Sequence, residues 1–498
     1  MDFIIWLLAI LLTACGTTVC FEIYRRWRKY APGPMNYPLI GALPKIVAAH
    51  GIVGPFRAWA DRYGDVFSFR MGPYEAVVLN DPALIREVFN KDVVSGRPQL
   101  PIIKLRSELN GNSHGIIMAE GQHWREHRRF TLQTMRDLGM GRAGMQQKII
   151  EEVGEFIDAL KKDGLREDFD YKIPLHATVA NIISRVLSGA RYDKNDANFL
   201  RFVDNVQDAL REDNAKFLWN ILPWTRVFLR KTQKSVFRRT KEIAVFIDGV
   251  CKQKFGDVTE QALKLSNATG RDDVTVDFME RYVHTVQAKQ LSSFTMNGLG
   301  LMVEDMFEAG FDTSNCTLHW AFLLMCAYPE VQKTVQLELD HIVPQNTIPS
   351  VSDNYPLPYY EATLLEVHRF ASIVPTGIGH RVEKDMTING YFVPEDTWVI
   401  ANLHYVHFSE KYWSHPEVFD PSRFIDGEGK FVTSDKVMPF SVGKRRCVGE
   451  ALAKAEVYMI LAAVLQRFTL QINGRLDLTQ TRGLVCDTQH HLINFIPR

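Results

Sequence analysis

The ten residues Phe440-Ser-Val-Gly443-Lys-Arg445-Arg-Cys447-Val-Gly449 carry the sharpest chemical pattern in the chain. Gly443 and Gly449 allow a tight turn around the cysteine. Helical spacing from about Val448 to Phe468 puts Cys447 just ahead of a helix N-terminus. Backbone N–H groups and the helix dipole there stabilise a thiolate. Arg445 is placed to pair with an anionic group on the same cofactor that the sulfur would ligate. A lone cysteine is more commonly a buried structural residue. The glycines and the arginine around Cys447 point instead to a ligand.

Other constellations follow the same logic. Ala309-Gly310-Phe311-Asp312-Thr313-Ser314 lies in a long apolar stretch. Its small residues leave room beside the helix, and the acid–alcohol pair Asp312 and Thr313 can relay protons. Glu366 and Arg369 stand at i, i+3 on one helix face, where they can pair. Such charges, if buried, are costly unless fully partnered. Trp124 and Arg128, at i, i+4, also share a face.

The Phe440–Gly449 segment resembles the haem-binding signature of the cytochrome P-450 family, Phe-x-x-Gly-x-Arg-x-Cys-x-Gly, at every fixed position. Ala309–Ser314 resembles that family's oxygen-activation motif, Glu366-Val-His-Arg369 its Glu-x-x-Arg, and Pro421-Ser-Arg423-Phe424 its Pro-x-Arg-Phe. The resemblance covers essentially the whole chain. At Ser95-Gly96-Arg97-Pro98 and over 128–142 it is similar to animal microsomal members, from the clan of drug and steroid hydroxylases.

That resemblance implies haem b (iron protoporphyrin IX) with Cys447 as the axial sulfur ligand to iron, a thiolate that favours O–O cleavage. It implies haem contacts from Phe440, Arg445, Trp124 and Arg128, the last two at a propionate, and places His380 beside another. Asp312 and Thr313 would deliver protons to bound dioxygen. Glu366, Arg369 and Arg423 would form a structural network that locks the Cys447 loop. The implied reaction hydroxylates or epoxidises a lipophilic substrate (a steroid, a fatty acid or a xenobiotic) and releases the second oxygen atom as water. No flavin or nicotinamide domain is found in the sequence, so electrons must come from outside. The resemblance implies NADPH through NADPH–cytochrome P-450 reductase, whose acidic face would dock on Arg125, Arg129, Lys444 and Arg446. Segments 101–118 (read as a loop), 205–210, 307–313, 372–378 and 483–486 would line the substrate pocket, which is largely apolar.

The elements that must position these residues are legible in outline. Alternation over 65–79 predicts strands, and 376–402 predicts small β elements. Apolar spacing predicts helices over Met145–Leu160, Leu299–Tyr328 and Tyr355–Phe370, with an irregular stretch at 416–441. The fold class is mainly α with a minor β portion (α+β). Residues 3–21 hold no charge and are followed by Arg25, Arg26, Arg28 and Lys29. This reads as a transmembrane anchor over 1–24 rather than a signal peptide, whose charges precede a shorter apolar run. The positive-inside rule then leaves the rest on the cytosolic side, here of the endoplasmic reticulum membrane. A Pro-rich connector runs to residue 44, and the catalytic domain occupies 45–498. Seven widely spaced cysteines suggest a reduced compartment. With 58 basic and 58 acidic side chains, no global field argues for nucleic acid.

Two other functions compete. A haem-thiolate isomerase or dehydratase of a lipid peroxide would need no electrons and often lacks the acid–Thr pair, which is present here. A non-catalytic haem-binding protein would have no use for that relay. Gly139-Met-Gly-Arg-Ala-Gly144 matches the dinucleotide fingerprint only formally, since no strand precedes it. The glycosylation patterns at Asn267 and Asn315 would face the cytosol or lie in a helix. His490-His491 is too isolated to argue for a metal.

Overall fold

The computed structural model describes residues 6, 13, 16–17, 20, 23–25, 27–111, 114–139, 143–166, 168–193, 196–210, 214–265, 277–288, 292–345, 347–472, 474–481 and 483–498. Most of the expected anchor, together with Arg26, residues 140–142 of the glycine decoy and Asn267, lies outside them. Among the described residues no helix is long and apolar enough to cross a membrane.

The core is helix on helix. Its centre is the long helix Met296–Ala327, capped by the Thr295 hydroxyl accepting from Gly298 N at 3.0 Å and stopped before Pro329. Almost every residue from Gly298 to Met325 is buried. Against it lie Glu450–Arg467 and Lys172–Leu187, and Ala143–Asp163 packs on those two. The run Val457–Leu465 of Glu450–Arg467 is buried all round, as a helix wedged between neighbours must be.

A four-stranded sheet forms the other wing. β1 (Val66–Met71) and β2 (Tyr74–Leu79) make a hairpin; β6 (Trp398–Ala401) adds parallel to β2, and β3 (His380–Arg381) pairs antiparallel to β6. Val78 and Ile400 are opposite each other in this register. β4 (Met386–Ile388) and β5 (Tyr391–Val393) form a separate hairpin.

One expectation is corrected. Segment 101–118 is not all loop: Pro101–Leu109 is a helix, with Pro at its first turn where a missing N–H is harmless. Two of the basic residues that follow the expected anchor pack onto the body. Arg25 is buried, bonded to Ser68 and 3.0 Å from Glu75, while Arg28 lies 4.2 Å over the Phe392 ring. These contacts tie the connector to the sheet.

Candidate functional site

Cys447 sits in a loop whose shape is set by its backbone. Cys447 N–H donates to the Phe440 carbonyl at 3.0 Å, and Ser441 and Gly443 both take positive φ, 58° and 75°. A Cβ on Gly443 would stand 2.2 Å from the Phe89 carbonyl oxygen. Only glycine lets the loop press against the end of the Pro82–Phe89 helix. The side chain of Cys447 is exposed although protein surrounds it. Burial pushes its thiol upward overall, while the N–H groups of Gly449 and Glu450 and the charge of Arg128 oppose that push. A metal cation at the sulfur would tip the balance to thiolate.

Beside the loop lies a buried basic cluster. Arg445 donates to the carbonyls of Ser95 (2.8 Å) and Ala119 (2.5 Å), and its guanidinium stacks 3.7 Å from the Trp124 ring. Arg97 donates to Ile117 (3.1 Å), Ile378 (2.9 Å) and Gly379 (3.0 Å). Arg128 donates to the Arg446 carbonyl at 2.6 Å, next to Cys447. The carboxylate nearest this cluster, Glu120, is engaged by Arg381 at 3.0 and 2.8 Å. Burial and mutual repulsion hold Arg97 down to about 9 and Arg445 down to about 8. Guanidinium groups held so low lack a matching anion. His380 is fully buried, its Nδ1–H on the Val94 carbonyl at 2.8 Å and its ring stacked on Phe89, and burial with Arg97 nearby keeps it neutral. A thiol flanked by buried, under-compensated arginines fits a group with a metal at its centre and carboxylates at its edge. Haem has that donor demand.

On the long helix Ala309 is exposed and Met306, Gly310, Asp312 and Thr313 are half-buried, a break in the buried run from Gly298 to Met325. A Cβ on Gly310 would stand 3.1 Å from Ile183 Cδ1. The Thr313 hydroxyl donates to the Ala309 carbonyl at 2.6 Å, and Asn315 and Thr317 also bond back one turn. Such back-bonding competes with the helix ladder and bends it. Asn315 is buried, which removes the glycosylation pattern there. Ser314 bonds to Glu456 of the Glu450–Arg467 helix, so the relay pair and the cysteine loop hang on adjoining elements.

Glu366, Arg369 and Arg423 lie together. Arg369 forks Glu366 and also donates to the carbonyls of His407 (2.7 Å), Pro416 (2.8 Å) and Val418 (3.2 Å). Arg423 Nε lies 3.4 Å from Glu366. His407 Nε2 accepts from Met438 N at 3.3 Å, two residues before Phe440, whose ring meets His368 edge-on at 5.4 Å.

The four expected docking residues are all exposed, but not alike. Lys444 pairs with Asp92 at 3.2 Å and Arg446 with Glu450 at 2.7 Å, leaving Arg125 and Arg129 the freer charges. A cavity of about 1270 Å³ opens beside Pro101–Leu109, lined by Leu100, Ile103, Met118, Trp219, Phe237 and Leu301. Of the segments expected around a pocket, 101–118 lines it. Phe307 and Phe311 do not: they stack on each other at 5.7 Å, and Phe307 meets Phe202 in a tilted contact at 4.8 Å, on the core side of the helix. Sequence reasoning also missed Arg97 and Arg106 as charged groups of the site. The Pro at the start of 101–109 was the one local signal for the helix that carries Arg106.

A family model described as cytochrome P-450 matches residues 31–495. Cytochrome P-450 2L1 of Panulirus argus is 32% identical over 446 residues, 88% of this chain and 88% of that protein. Cytochrome P-450 2J2 of Homo sapiens is 31% identical over 482 residues, 95% of this chain and 92% of that one. Cytochrome P-450 2H1 of Gallus gallus is 31% identical over 510 aligned residues, 100% of both.

Proposed function

The chain belongs to the cytochrome P-450 family and is a monooxygenase of the oxidoreductase class, and from that premise we propose that Cys447 is the axial ligand of a haem b iron and that the enzyme hydroxylates or epoxidises a lipophilic substrate. The observation that carries this reading is the Cys447 loop beside two buried arginines, Arg97 and Arg445, that lack a matching anion, with the half-buried Arg128 next to them.

Bound haem supplies dioxygen activation, which a thiolate ligand favours. The protein's share follows from its own groups. The N–H groups of Gly449 and Glu450 hold the sulfur of Cys447 as its charge grows. Arg97, Arg128 and Arg445, with Trp124 packed on Arg445, would hold the two carboxylates at the haem edge; neutral His380, its Nδ1–H spent on Val94, leaves an Nε2 that only accepts and would meet there a protonated carboxyl. Glu366, Arg369 and Arg423 keep the loop from moving. Thr313 exchanges its bond to the Ala309 carbonyl for one to an incoming ligand, and Asp312 passes it a proton. The apolar side chains of the cavity wall, Leu100, Ile103, Met118, Trp219, Phe237 and Leu301, suit the body of a lipophilic molecule, and charged neighbours such as Arg106 and Asp305 would meet a polar end.

Electrons come from NADPH through a reductase docked over Arg125 and Arg129. The surface supports residence on the endoplasmic reticulum membrane: Leu39 (79%), Val227 (63%) and Phe228 (80%) are exposed apolar side chains. They share one side of the molecule, because Gly41 bridges Met71 and Gly72 abuts Leu222.

The test is spectroscopic and catalytic. The reduced protein with carbon monoxide should show the red-shifted absorption of thiolate ligation, and Cys447→Ser should lose it. With reductase and NADPH, a lipophilic substrate should yield oxygenated product. Retention of the band in C447S, or product formed without NADPH, would overturn the reading.

A further inference from the structure

The long helix carries Glu304, Glu308 and Asp312 at i, i+4 and i+8, one stripe that ends at the acid–alcohol pair. Glu304, Asp305 and Glu308 are all buried. One guanidinium, Arg106 of Pro101–Leu109, reaches all three: Glu304 at 2.8 Å, Asp305 at 3.0 Å and Glu308 at 3.0 Å. The remaining oxygens are satisfied unequally. Asp305 accepts from the N–H groups of Ile116 (2.7 Å) and Ile117 (2.9 Å), and Glu304 accepts from Asn110 at 3.3 Å. Among the described residues Glu308 has Arg106 alone.

One cation does not balance three buried carboxylates, so the cluster must hold a proton. Glu308, the least supported, is where it rests. Burial, with Glu304, Asp305 and Asp312 nearby on the same helix, pushes its carboxyl up to about 8, against the pull of Arg106 from the facing helix. Arg106 and Asp305 also line the cavity, which gives the cluster a path to water.

We propose that Glu308 is a positioning residue that stores the proton for the Asp312–Thr313 pair, passing it one turn along the helix and refilling from the cavity at Arg106. The inference rests on the reading of Asp312 and Thr313 as the proton relay. The step balances without an electron moving. The O–H bond of the Glu308 carboxyl breaks, and an O–H bond forms on the Asp312 carboxylate. The new Glu308 carboxylate stands 3.0 Å from Arg106, whose charge holds it until water returns a proton. Cβ atoms at i, i+4 lie about 5–6 Å apart, within reach of two carboxyl side chains.

The experiment compares the wild type with Glu308→Gln and Glu308→Asp as full-length holoenzymes. Infrared titration should show, in the wild-type-minus-E308Q difference spectrum, a protonated carboxylic C=O component with a midpoint near pH 8 that is shifted in E308D, while the Glu456 contribution, common to both proteins, cancels. Product formed per NADPH should fall roughly tenfold in E308Q, less than the 10²–10⁴ of a direct proton donor, with hydrogen peroxide rising in its place. In the wild type that yield should decline above pH 8; in E308Q it should be low and flat. A wild-type-minus-E308Q difference spectrum with no protonated carboxylic C=O component, or a yield equal to wild type at every pH, overturns the proposal. The red-shifted carbon monoxide band, intact in E308Q, separates that failure from a failure of the haem-thiolate reading itself.

Discussion

Glu366 and Arg369 meet in a two-pronged fork, Nε to Oε2 and Nη2 to Oε1 both at 2.7 Å, with neither side chain exposed to solvent. Removing one partner leaves the other charge buried and alone, which costs about 3–5 kcal/mol. Arg369→Lys should not rescue, because an ammonium cannot span both carboxylate oxygens and three carbonyls. Both E366Q and R369K should lower the urea midpoint and the haem content together. An R369K protein as stable as wild type would contradict this.

Gly443 is irreplaceable for a local reason. Gly443→Ala puts a methyl against the Phe89 carbonyl at a φ of +75°. The left-handed conformation alone costs about 1–2 kcal/mol, and the contact adds to it. Gly427→Ala, with nothing within 4 Å, should stay within about 0.5 kcal/mol of wild type. Thermal melts of the pair decide it.

Arg97→Leu should speed haem loss. A charge-assisted hydrogen bond is worth about 1.5–3 kcal/mol, so transfer of haem to an apo-globin acceptor should quicken roughly ten- to a hundredfold. An unchanged transfer rate would remove Arg97 from the site.

Glu456 gives the fold a pH dependence. Burial pushes its carboxyl up to about 8, with the Ser314 bond opposing. The folded state therefore keeps a proton that the unfolded chain releases above about 4.3. Stability from this group is full below that value, falls as pH rises and is gone above 8, by at most about 1.4 kcal/mol per pH unit. Glu456→Gln should flatten the slope of the unfolding midpoint between pH 5 and 8; an equal slope in both proteins would show that the proton sits elsewhere.

Arg125 and Arg129, exposed on one helix, should govern reductase affinity. Replacing both with Glu should raise the reductase concentration for half-maximal turnover, more so at low salt. Identical dependence in the variant would place docking on another face.

The sequence disclosed the site where its chemistry is local. Cys447, Gly443 and Arg445 lie within five residues, and Glu366 and Arg369 within one turn, so spacing alone suffices. Arg97 was hidden because its carbonyl partners at 378 and 379 lie about 280 residues away. Arg106 was hidden for the same reason, its carboxylates lying about 200 residues on. Phe307 and Phe311 share a stripe, which periodicity found; which neighbour that stripe faces is set by packing against Phe202.

The fork at Arg369 also implies an order of assembly. A growing polypeptide emerges from the ribosome N-terminus first. Glu366 and Arg369 are one helical turn apart and can join while the acceptors at 407, 416 and 418 are still unmade. Those carbonyls then close onto a guanidinium already in place, and Cys447 is synthesised only after them. The sulfur loop is thus synthesised after every acceptor of that guanidinium.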